Sequence, residues 1–454
     1  MVLLVQNIIF FLLILLLVTG TKQTFSSPAI AFVLPFAISS FYLMFNISRW
    51  NVKLSDVTFF VILGGCVSFL AGVVISNCIC QSYEKKNKIG LKNKLADLTH
   101  EFDVYVDNKL LLVFTLIQIF SVLIVFRRVL AVSKKYGYSG NISQLIYGYR
   151  FLGTYTTENL SLGAIGNLCY NFATAAGFVW VYILIHKVVN KNNIPLALVV
   201  NTVLSIVMCL LKGGRERAMQ IVAAGLLYYL FFNKIRHKRK KELSPKQFAI
   251  VAIVGIAVMG SFQMLGSILG RTVQADPIQY IAVYLCGSIR NLDVYVRDLW
   301  GTHDVFGKMT FIRIINYIGG KCHNENWIYP LDLPYQAANG KNSGNIYTTF
   351  YAYLYDFGYI GVAIMPFFIG FITNFFYKIA ARTTERNNNK INLSLLIYGY
   401  WYYTLLFSYF SNKFYEMTFT IVFIRNVIIW NALIYILKKG SSGTLVGRKC
   451  HFIL

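Results

Sequence analysis

Residues 266–271 (GSILGR) and residues 345–358 (NIYTTFYAYLYDFG) enclose the longest polar interruption in a chain that is otherwise rich in apolar runs. Hydrophobic segments of about 20 residues, enough for a helix to cross the ~30 Å hydrocarbon core of a bilayer, lie on both sides of it. Backbone N–H and C=O groups find no water in that core, so these segments are expected to be helical. The pattern predicts an all-α polytopic membrane protein in which residues 267–356 form one large extramembrane loop with short amphipathic helices.

The composition supports this class. Of 454 residues, 56% are hydrophobic and 13% are charged, whereas soluble domains have roughly 25% charged residues. The formal net charge of +25 comes from Lys and Arg in short segments between apolar runs, where the positive-inside rule expects them. We therefore interpret the basic charge as setting the topology, and we predict membrane lipid and no nucleic acid as a partner.

Hydropathy predicts eleven membrane spans, with room for a twelfth. They lie near residues 3–19, 28–47, 57–80, 109–130, 162–186, 194–211, 217–233, 247–266, 357–377, 391–410 and 415–437. The chain then divides into four regions. These are residues 1–266 with eight spans, the loop 267–356, residues 357–437 with three spans, and the tail 438–454.

Basic residues orient the spans. Residues 234–246 carry seven Lys or Arg, a block that is unfavourable to translocate, so we place it in the cytoplasm. Alternation then puts residues 267–356 on the outer face. One group of cations conflicts with this orientation: Arg127, Arg128, Lys134 and Lys135. Either residues 133–160 contain another crossing or an amphipathic helix, or these cations have a function on the outer side.

The turn at residues 211–218 (LKGGRERA) is the first candidate site. Arg215 and Arg217 oppose the positive-inside bias, and charges at membrane depth are costly unless they are paired or face a wet cavity. Two glycines permit a tight turn, the next helix offers its N-terminus to an anion, and guanidinium groups match phosphate oxygens. These features favour a pyrophosphate site. The alternative is that both arginines extend to lipid headgroups while Glu216 neutralises one of them.

A second cluster of arginines lies in the outer segment, at Arg271, Arg290, Arg297 and Arg313. The spacing of Arg290, Asp293 and Arg297 puts them on one helical face. A membrane-surface helix with internal ion pairs would show the same pattern, so this alternative stays open.

Residues 340–349 (GKNSGNIYTT) form the third candidate. They predict a loop that ends at a helix start, where Asn345, Tyr347 and Thr348 would bind a glycan by hydrogen bonds and stacking. For most tyrosines of this stretch, an interfacial aromatic belt is the alternative.

Three residues are candidates for a catalytic base. Asp356 lies at the mouth of a predicted span, where a carboxylate needs either a cationic partner or a role as a base. Glu216 is the second candidate. His323 is the third, because histidine titrates near neutral pH. His303 is the other histidine of the outer segment, and a surface position explains either histidine equally well.

Several enzyme signatures are absent from the sequence. It has no nucleotide-binding P-loop, no His-Glu-x-x-His and no Gly-x-Ser-x-Gly, and it has no Asp-x-Asp metal pair. We therefore predict neither a metal nor another cofactor.

Residues 200–380 resemble the Wzy-type O-antigen polymerases, which join oligosaccharide repeat units. The resemblance rests on a Gly-Gly-Arg turn, a large outer loop in the second half of the chain, and an Asn-x-Tyr-Thr followed by Asp-Phe-Gly-x-x-Gly. The residues that carry it are Gly213, Gly214, Arg215, Asn345, Tyr347, Thr348, Asp356, Phe357, Gly358 and Gly361. Arg290 and Gly301 also fit an Arg-x₁₀-Gly spacing found in some members.

The resemblance implies a GT-C-like, metal-independent glycosyltransferase in the bacterial cytoplasmic (inner) membrane. Its donor and acceptor would be undecaprenyl-pyrophosphate-linked glycans, its product O-antigen or capsular polysaccharide, and a further partner a chain-length regulator. Arg215, Arg217, Arg271 and Arg290 would hold the pyrophosphate, with Arg271 and Arg290 facing Arg215 and Asp356 at the rim. The alternatives are a lipid-linked oligosaccharide flippase or related transporter, and an O-antigen ligase.

Overall fold

The computed structural model describes residues 1–87, 104, 106–155, 160–236, 266, 276–299, 305–386 and 390–450. The chain is mostly helical (77%), and the strands of the described residues form one two-stranded hairpin. The predicted all-α class is therefore confirmed. Arg271, His303 and nearly all of the predicted span 247–266 lie outside the described residues.

The helices of the described residues are numbered in chain order. They are α1 (Val2–Leu15), α2 (Pro28–Met44), α3 (Ile47–Trp50), α4 (Asp56–Asn87), α5 (Asn108–Lys135), α6 (Ile142–Tyr155), α7 (Gly163–Asn190), α8 (Leu196–Leu210), α9 (Glu216–Arg236), α10 (Pro277–Arg297), α11 (Ile312–Lys321), α12 (Thr349–Arg386), α13 (Leu393–Leu406), α14 (Lys413–Thr418) and α15 (Ile421–Cys450). A π-helical turn, Leu16–Gly20, extends α1.

Seven helical segments in the described part of the chain are long and apolar enough to cross a membrane. They are Val2–Gly20, Asp56–Ser82, Asn108–Lys135, Gly163–Asn190, Glu216–Arg236, Thr349–Thr384 and Ile421–Lys439. Helices α2 and α8 are apolar but shorter. The span predicted at 391–410 is the 14-residue helix α13, which at 1.5 Å per residue is about 21 Å long. The chain is a multi-pass membrane protein.

The chain packs as two compact units. The first unit comprises Met1–Ala96, Gln274–Ile379 and Trp401–Ile421, and the second comprises Asp97–Val273, Ala380–Tyr400 and Val422–Leu454. Each unit takes segments from both halves of the chain, so neither coincides with a region defined by hydropathy along the sequence.

In the first unit, α4 and α12 cross at close backbone range. A Cβ atom on Gly72 would collide with the carbonyl oxygen of Phe367, and one on Gly370 would collide with that of Phe69. Small residues allow helices in a membrane to approach this closely, which favours association by van der Waals packing. The two glycines therefore fix where these helices meet.

Also in the first unit, Asp293 of α10 caps the beginning of α4. Its Oδ1 accepts hydrogen bonds from the Ser55 backbone N–H, the Ser55 hydroxyl and the Thr58 hydroxyl, each at 2.8 Å. Its Oδ2 accepts from Arg297 Nη2 at 2.9 Å. The predicted ion pair along one face of this helix is therefore confirmed for Asp293 and Arg297.

In the second unit, α7 packs against α5, α8 and α9. The indole N–H of Trp430 on α15 donates to the Ala175 carbonyl at 2.9 Å, which ties α15 to α7. At one end of this unit, a core that includes Val125, Val129 and Met208 lies beneath the turn between α8 and α9.

Residues 133–160 contain the short helix α6. At about 21 Å it is too short to cross the ~30 Å hydrocarbon core. It packs on α5, where the Ser133 hydroxyl donates to the Leu145 carbonyl at 2.6 Å. Its buried residues Leu145, Ile146 and Tyr149 line one side. Of the two structural alternatives for this stretch, a further crossing or an amphipathic helix, α6 is therefore the amphipathic helix.

The predicted loop at residues 340–349 is partly a β-hairpin. Strand β1 (Gln336–Ala338) pairs with β2 (Lys341–Gly344), through a turn at Asn339 (φ 50°) and Gly340 (φ 68°). Positive φ at both central residues is the requirement of a type I′ hairpin turn, and Asn-Gly satisfies it best.

The first turns of α12 are separated from the rest of that helix by a kink. Gly358 has φ 61° and ψ −155°, a conformation outside the helical region, which a residue with a Cβ atom adopts only at a steric cost. The helix that follows carries the span predicted from residue 357.

Candidate functional site

The turn between α8 and α9 concentrates charge in the second unit. Lys212, Arg215, Glu216 and Arg217 follow one another within six residues, and we call residues 212–217 the cationic turn. The side chain of Arg215 is buried, and the other three are half-buried. The Arg215 carbonyl accepts the Met219 N–H at 3.0 Å, so the turn leads directly into the first turn of α9, where the helix dipole is positive.

The first glycine of this turn, Gly213, is required by its backbone conformation and by the close approach of α6. It has φ +71°, and a Cβ atom there would lie 2.8 Å from Arg150 Cβ and 3.0 Å from the Ile146 carbonyl oxygen, both on α6. Gly214 has open space where a Cβ atom would be. Gly213 thus lets α6 pack against the turn and brings Arg150 beside it.

The ring of Tyr170, on α7, lies under two cations of the turn. Lys212 Nζ is 4.0 Å from the ring centre, and the guanidinium carbon of Arg217 is 5.6 Å from it. Tyr170 is 4% exposed, so the ring is a buried surface. Cations over an aromatic face are stabilised by the ring quadrupole, more strongly when they are desolvated. This contact holds two like charges close together.

Burial and charge proximity act on the ionisable groups of this site. Burial, with a further contribution from Arg217, lowers the pKa of Lys212 to about 8. Burial raises the pKa of Tyr149, on α6, to about 12. Desolvation disfavours the charged form of either group. Lys212 is consequently the lysine of this turn that can change its charge close to neutral pH.

In the first unit, Arg290 anchors the hairpin to α10. Its guanidinium donates to the Ser343 hydroxyl at 3.2 Å, to the Ala337 carbonyl at 3.2 Å and to Asn291 Oδ1 at 3.3 Å. Burial lowers the pKa of Arg290, although Asp293 favours its charged form. Arg290 therefore has a structural role, whatever further role it has toward a substrate.

The three predicted glycan-binding residues differ in exposure. Tyr347 is 1% exposed, and its hydroxyl donates to the Pro334 carbonyl at 2.9 Å and accepts from Gln336 Nε2 at 3.1 Å. Thr348 is also buried, whereas Asn345 is half-buried. The Tyr347 and Thr348 side chains contribute mainly to packing beneath the hairpin.

Asp356 holds the segment that precedes α11. Its two carboxylate oxygens accept the backbone N–H groups of Met309, at 3.0 Å, and Thr310, at 2.5 Å. Nothing in the sequence indicated these two backbone contacts. Both oxygens are therefore engaged in a structural contact.

The remaining candidates of the outer segment lie at the surface. His323 is exposed and has φ +51°, in the turn that follows α11, and Arg313 is exposed on α11. Arg297 is occupied by its pair with Asp293. These positions favour surface and structural roles.

The structure places the predicted site residues in two groups. In the second unit, one turn brings together Arg215, Glu216 and Arg217. The first unit contains Arg290, Asn345, Tyr347, Thr348, His323 and Asp356. The convergence of Arg290 with Arg215 stays a prediction.

Sequence reasoning did not single out Lys212 of the cationic turn, and it missed two neighbours of the turn, Arg150 and Tyr170. Lys212 stood inside the motif, and its position beside the glycine pair was a signal that it shares the site. Arg150 and Tyr170 belong to other helices, and no local pattern links them to the turn. The one available hint was that Arg150 lies within residues 133–160, where an amphipathic helix was one of the alternatives.

Within the described ranges, no three His, Cys, Asp or Glu side chains are grouped so as to hold a metal ion. The chain matches no known family model, no curated protein and no solved structure.

Proposed function

We propose that the protein is a Wzy-type polymerase, which joins undecaprenyl-pyrophosphate-linked repeat units into O-antigen or capsular polysaccharide on the outer face of the bacterial cytoplasmic membrane. The single observation that carries the proposal is the cationic turn. Lys212, Arg215 and Arg217 lie together at the end of membrane helices, with Glu216 as the carboxylate of the turn. The motif resemblance supports the same reaction and the GT-C-like class.

The chemistry suits these residues. A hydroxyl oxygen of one repeat unit attacks the anomeric carbon of the growing chain, the bond from that carbon to the diphosphate oxygen breaks, and its electron pair leaves with the diphosphate. Negative charge on the leaving group grows in the transition state, so fixed cations accelerate the step. Guanidinium groups are suited to this because they bind phosphate oxygens in a bidentate manner and stay protonated.

The proton of the attacking hydroxyl goes to a base, and Glu216 is now the first of the three candidates. It is half-buried within the cationic turn, whereas Asp356 uses both oxygens for backbone contacts and His323 is an exposed turn residue. Arg290 and Arg271 would contribute to pyrophosphate binding, and Asn345 would contact the glycan.

The test is polymerisation by the purified protein in liposomes that contain lipid-linked repeat units, with chelator present and without nucleotide. We expect a ladder of longer chains. Arg217→Gln should abolish the ladder, whereas Arg236→Gln, at the other end of α9, should leave it unchanged. Translocation of unchanged substrate across the bilayer would contradict the proposal in favour of a flippase. Transfer only to a lipid A core acceptor would favour a ligase.

A further inference from the structure

The contact between Lys212 and Tyr170 differs from that of a lysine extending to lipid headgroups. Lys212 Nζ lies over a buried aromatic ring, and its neighbour over the same ring is Arg217. Among the described residues, no carboxylate forms an ion pair with Lys212 or Arg217; the pairs present there join other residues. Two adjacent cations that repel each other form a site suited to a polyvalent anion.

The groups around this pair define its chemistry. Arg217 lies beside both Lys212 and Tyr170, and Tyr149 on α6 and Cys209 on α8 lie near the Tyr170 ring. Glu216 in α9 and Tyr400 on α13 lie near Arg217. Arg150 on α6 lies against the turn at Gly213. Arginines stay protonated throughout the physiological range, and the pKa of Tyr149 is about 12. Lys212 is thus the cation of the cluster whose charge responds to moderate alkaline pH.

We propose that Lys212, held over Tyr170 beside Arg217, is a proton-linked ligand for the diphosphate of a lipid-linked substrate and becomes fully protonated as that anion binds. This role of Lys212 rests on the proposed function, which supplies the ligand, and it adds a protonation step to that function. The diphosphate oxygens would contact the ammonium and guanidinium groups together. The proton comes from solvent and is returned when the diphosphate departs.

The direction of the linkage follows from the charges. Burial and Arg217 hold the Lys212 pKa at about 8. A bound anion favours the charged form and raises that pKa. Below a pH of about 8, Lys212 already carries its proton, so binding takes up none. Above it, binding requires proton uptake, and affinity must fall as the pH rises.

The experiment is calorimetric titration of the full-length protein in detergent with a short polyprenyl diphospho-sugar. Each phosphate of this probe carries one ester and one anhydride bond and keeps a single, strongly acidic hydroxyl group, so neither titrates in this range. Heats measured in buffers of different ionisation enthalpy give the number of protons taken up. At about pH 8.5 we expect uptake of about 0.7 proton per bound probe, and binding about tenfold weaker at pH 9 than at pH 7.

Two variants of Lys212 and one control isolate its contribution. Lys212→Arg keeps the charge without titrating, so it should bind with no proton uptake and with affinity independent of pH. Lys212→Met should bind more weakly at pH 7 and also take up no proton. Lys134→Met, an exposed position at the end of α5, should behave as the wild type. Equal uptake by wild type and Lys212→Arg would overturn the inference.

Polymerisation by the same preparations separates the two proposals. A ladder from wild-type protein together with binding that takes up no proton would overturn the role of Lys212 and leave the polymerase intact. Proton uptake through Lys212 without a ladder under any condition would overturn the polymerase and leave the anion site. Inorganic sulfate is the second probe, and Lys212-dependent uptake with sulfate but not with the diphospho-sugar would overturn the assignment to a lipid-linked diphosphate.

Discussion

Asp356 accepts the backbone N–H of Met309 at 3.0 Å. Its other carboxylate oxygen accepts from Thr310, so Asp356→Asn would leave one of these N–H groups facing an amide NH₂. We expect this variant to lower the free energy of unfolding by about 1–3 kcal/mol, the usual cost of an unsatisfied buried donor. Thermal unfolding in detergent measures the loss, and Asp298→Asn, at an exposed position, is the control. Unchanged stability with abolished polymerisation would instead identify Asp356 as the base.

Gly213→Ala should disrupt the junction between α6 and the cationic turn. The added Cβ atom meets Arg150 Cβ and the Ile146 carbonyl, at a φ of +71° that alanine adopts with strain. We expect lower thermal stability and weaker binding of a polyprenyl diphospho-sugar. Gly214→Ala is the matched control, because its Cβ atom would enter open space. Equal behaviour of the two variants would show that the close approach of α6 is not needed.

Tyr170 should act through its ring rather than through its hydroxyl. Tyr170→Phe keeps the aromatic face, so we expect near-normal binding of the diphospho-sugar. Tyr170→Leu removes the face on which Lys212 and Arg217 rest, and a loss of about 1–2 kcal/mol of cation–π stabilisation corresponds to roughly 5- to 30-fold weaker binding. Calorimetry of both variants checks this. Weakening by Tyr170→Phe as large as by Tyr170→Leu would assign the role to the hydroxyl.

Gly72→Ala should separate α4 from α12. The new methyl group would collide with the Phe367 backbone, which cannot move without shifting a helix, so we expect a clear fall in melting temperature. Gly64→Ala, on the same helix and in open space, should be neutral or slightly stabilising because alanine has the higher helix propensity. A melting temperature unaffected by Gly72→Ala would show that the two helices can adjust.

Hydropathy predicted each of the seven long apolar helices in the described part of the chain, because burying an apolar stretch of this length dominates their energetics. Three other predicted spans, 28–47, 194–211 and 391–410, are shorter helices. α5 and α7 begin within two residues of their predicted starts. Hydropathy did not predict the elements whose position depends on local backbone conformation. The Asn339-Gly340 hairpin is flanked by short polar strands without an alternating pattern, so its turn signal was overlooked. The predicted span 415–437 instead begins at Ile421, after the separate short helix α14.

The candidate site was predictable only as far as it is continuous in sequence. Arg215 and Arg217 could be named as candidates because charged residues lie there in a glycine-containing turn between two apolar helices. The contact of Tyr170 with this turn depends on how α7 packs against α8 and α9, and one sequence carries no signal for that packing. Similarly, the backbone N–H groups that Asp356 accepts could not be predicted, because nearly every residue carries such a group and composition does not record which of them is used.

The kink at Gly358 divides α12 into two helical segments, each a straight rod. Residues 349–357 form a rod of about 13 Å, and residues 359–386 form one of about 42 Å, so only the second can cross the ~30 Å hydrocarbon core. A straight α12 of about 57 Å would extend far beyond the bilayer. The kink instead lets the shorter rod follow α10, where Tyr351 meets Tyr295 with ring centres 4.5 Å apart. Because of the kink at Gly358, the segment that crosses the membrane and the tyrosine-rich segment that carries Asp356 run in different directions.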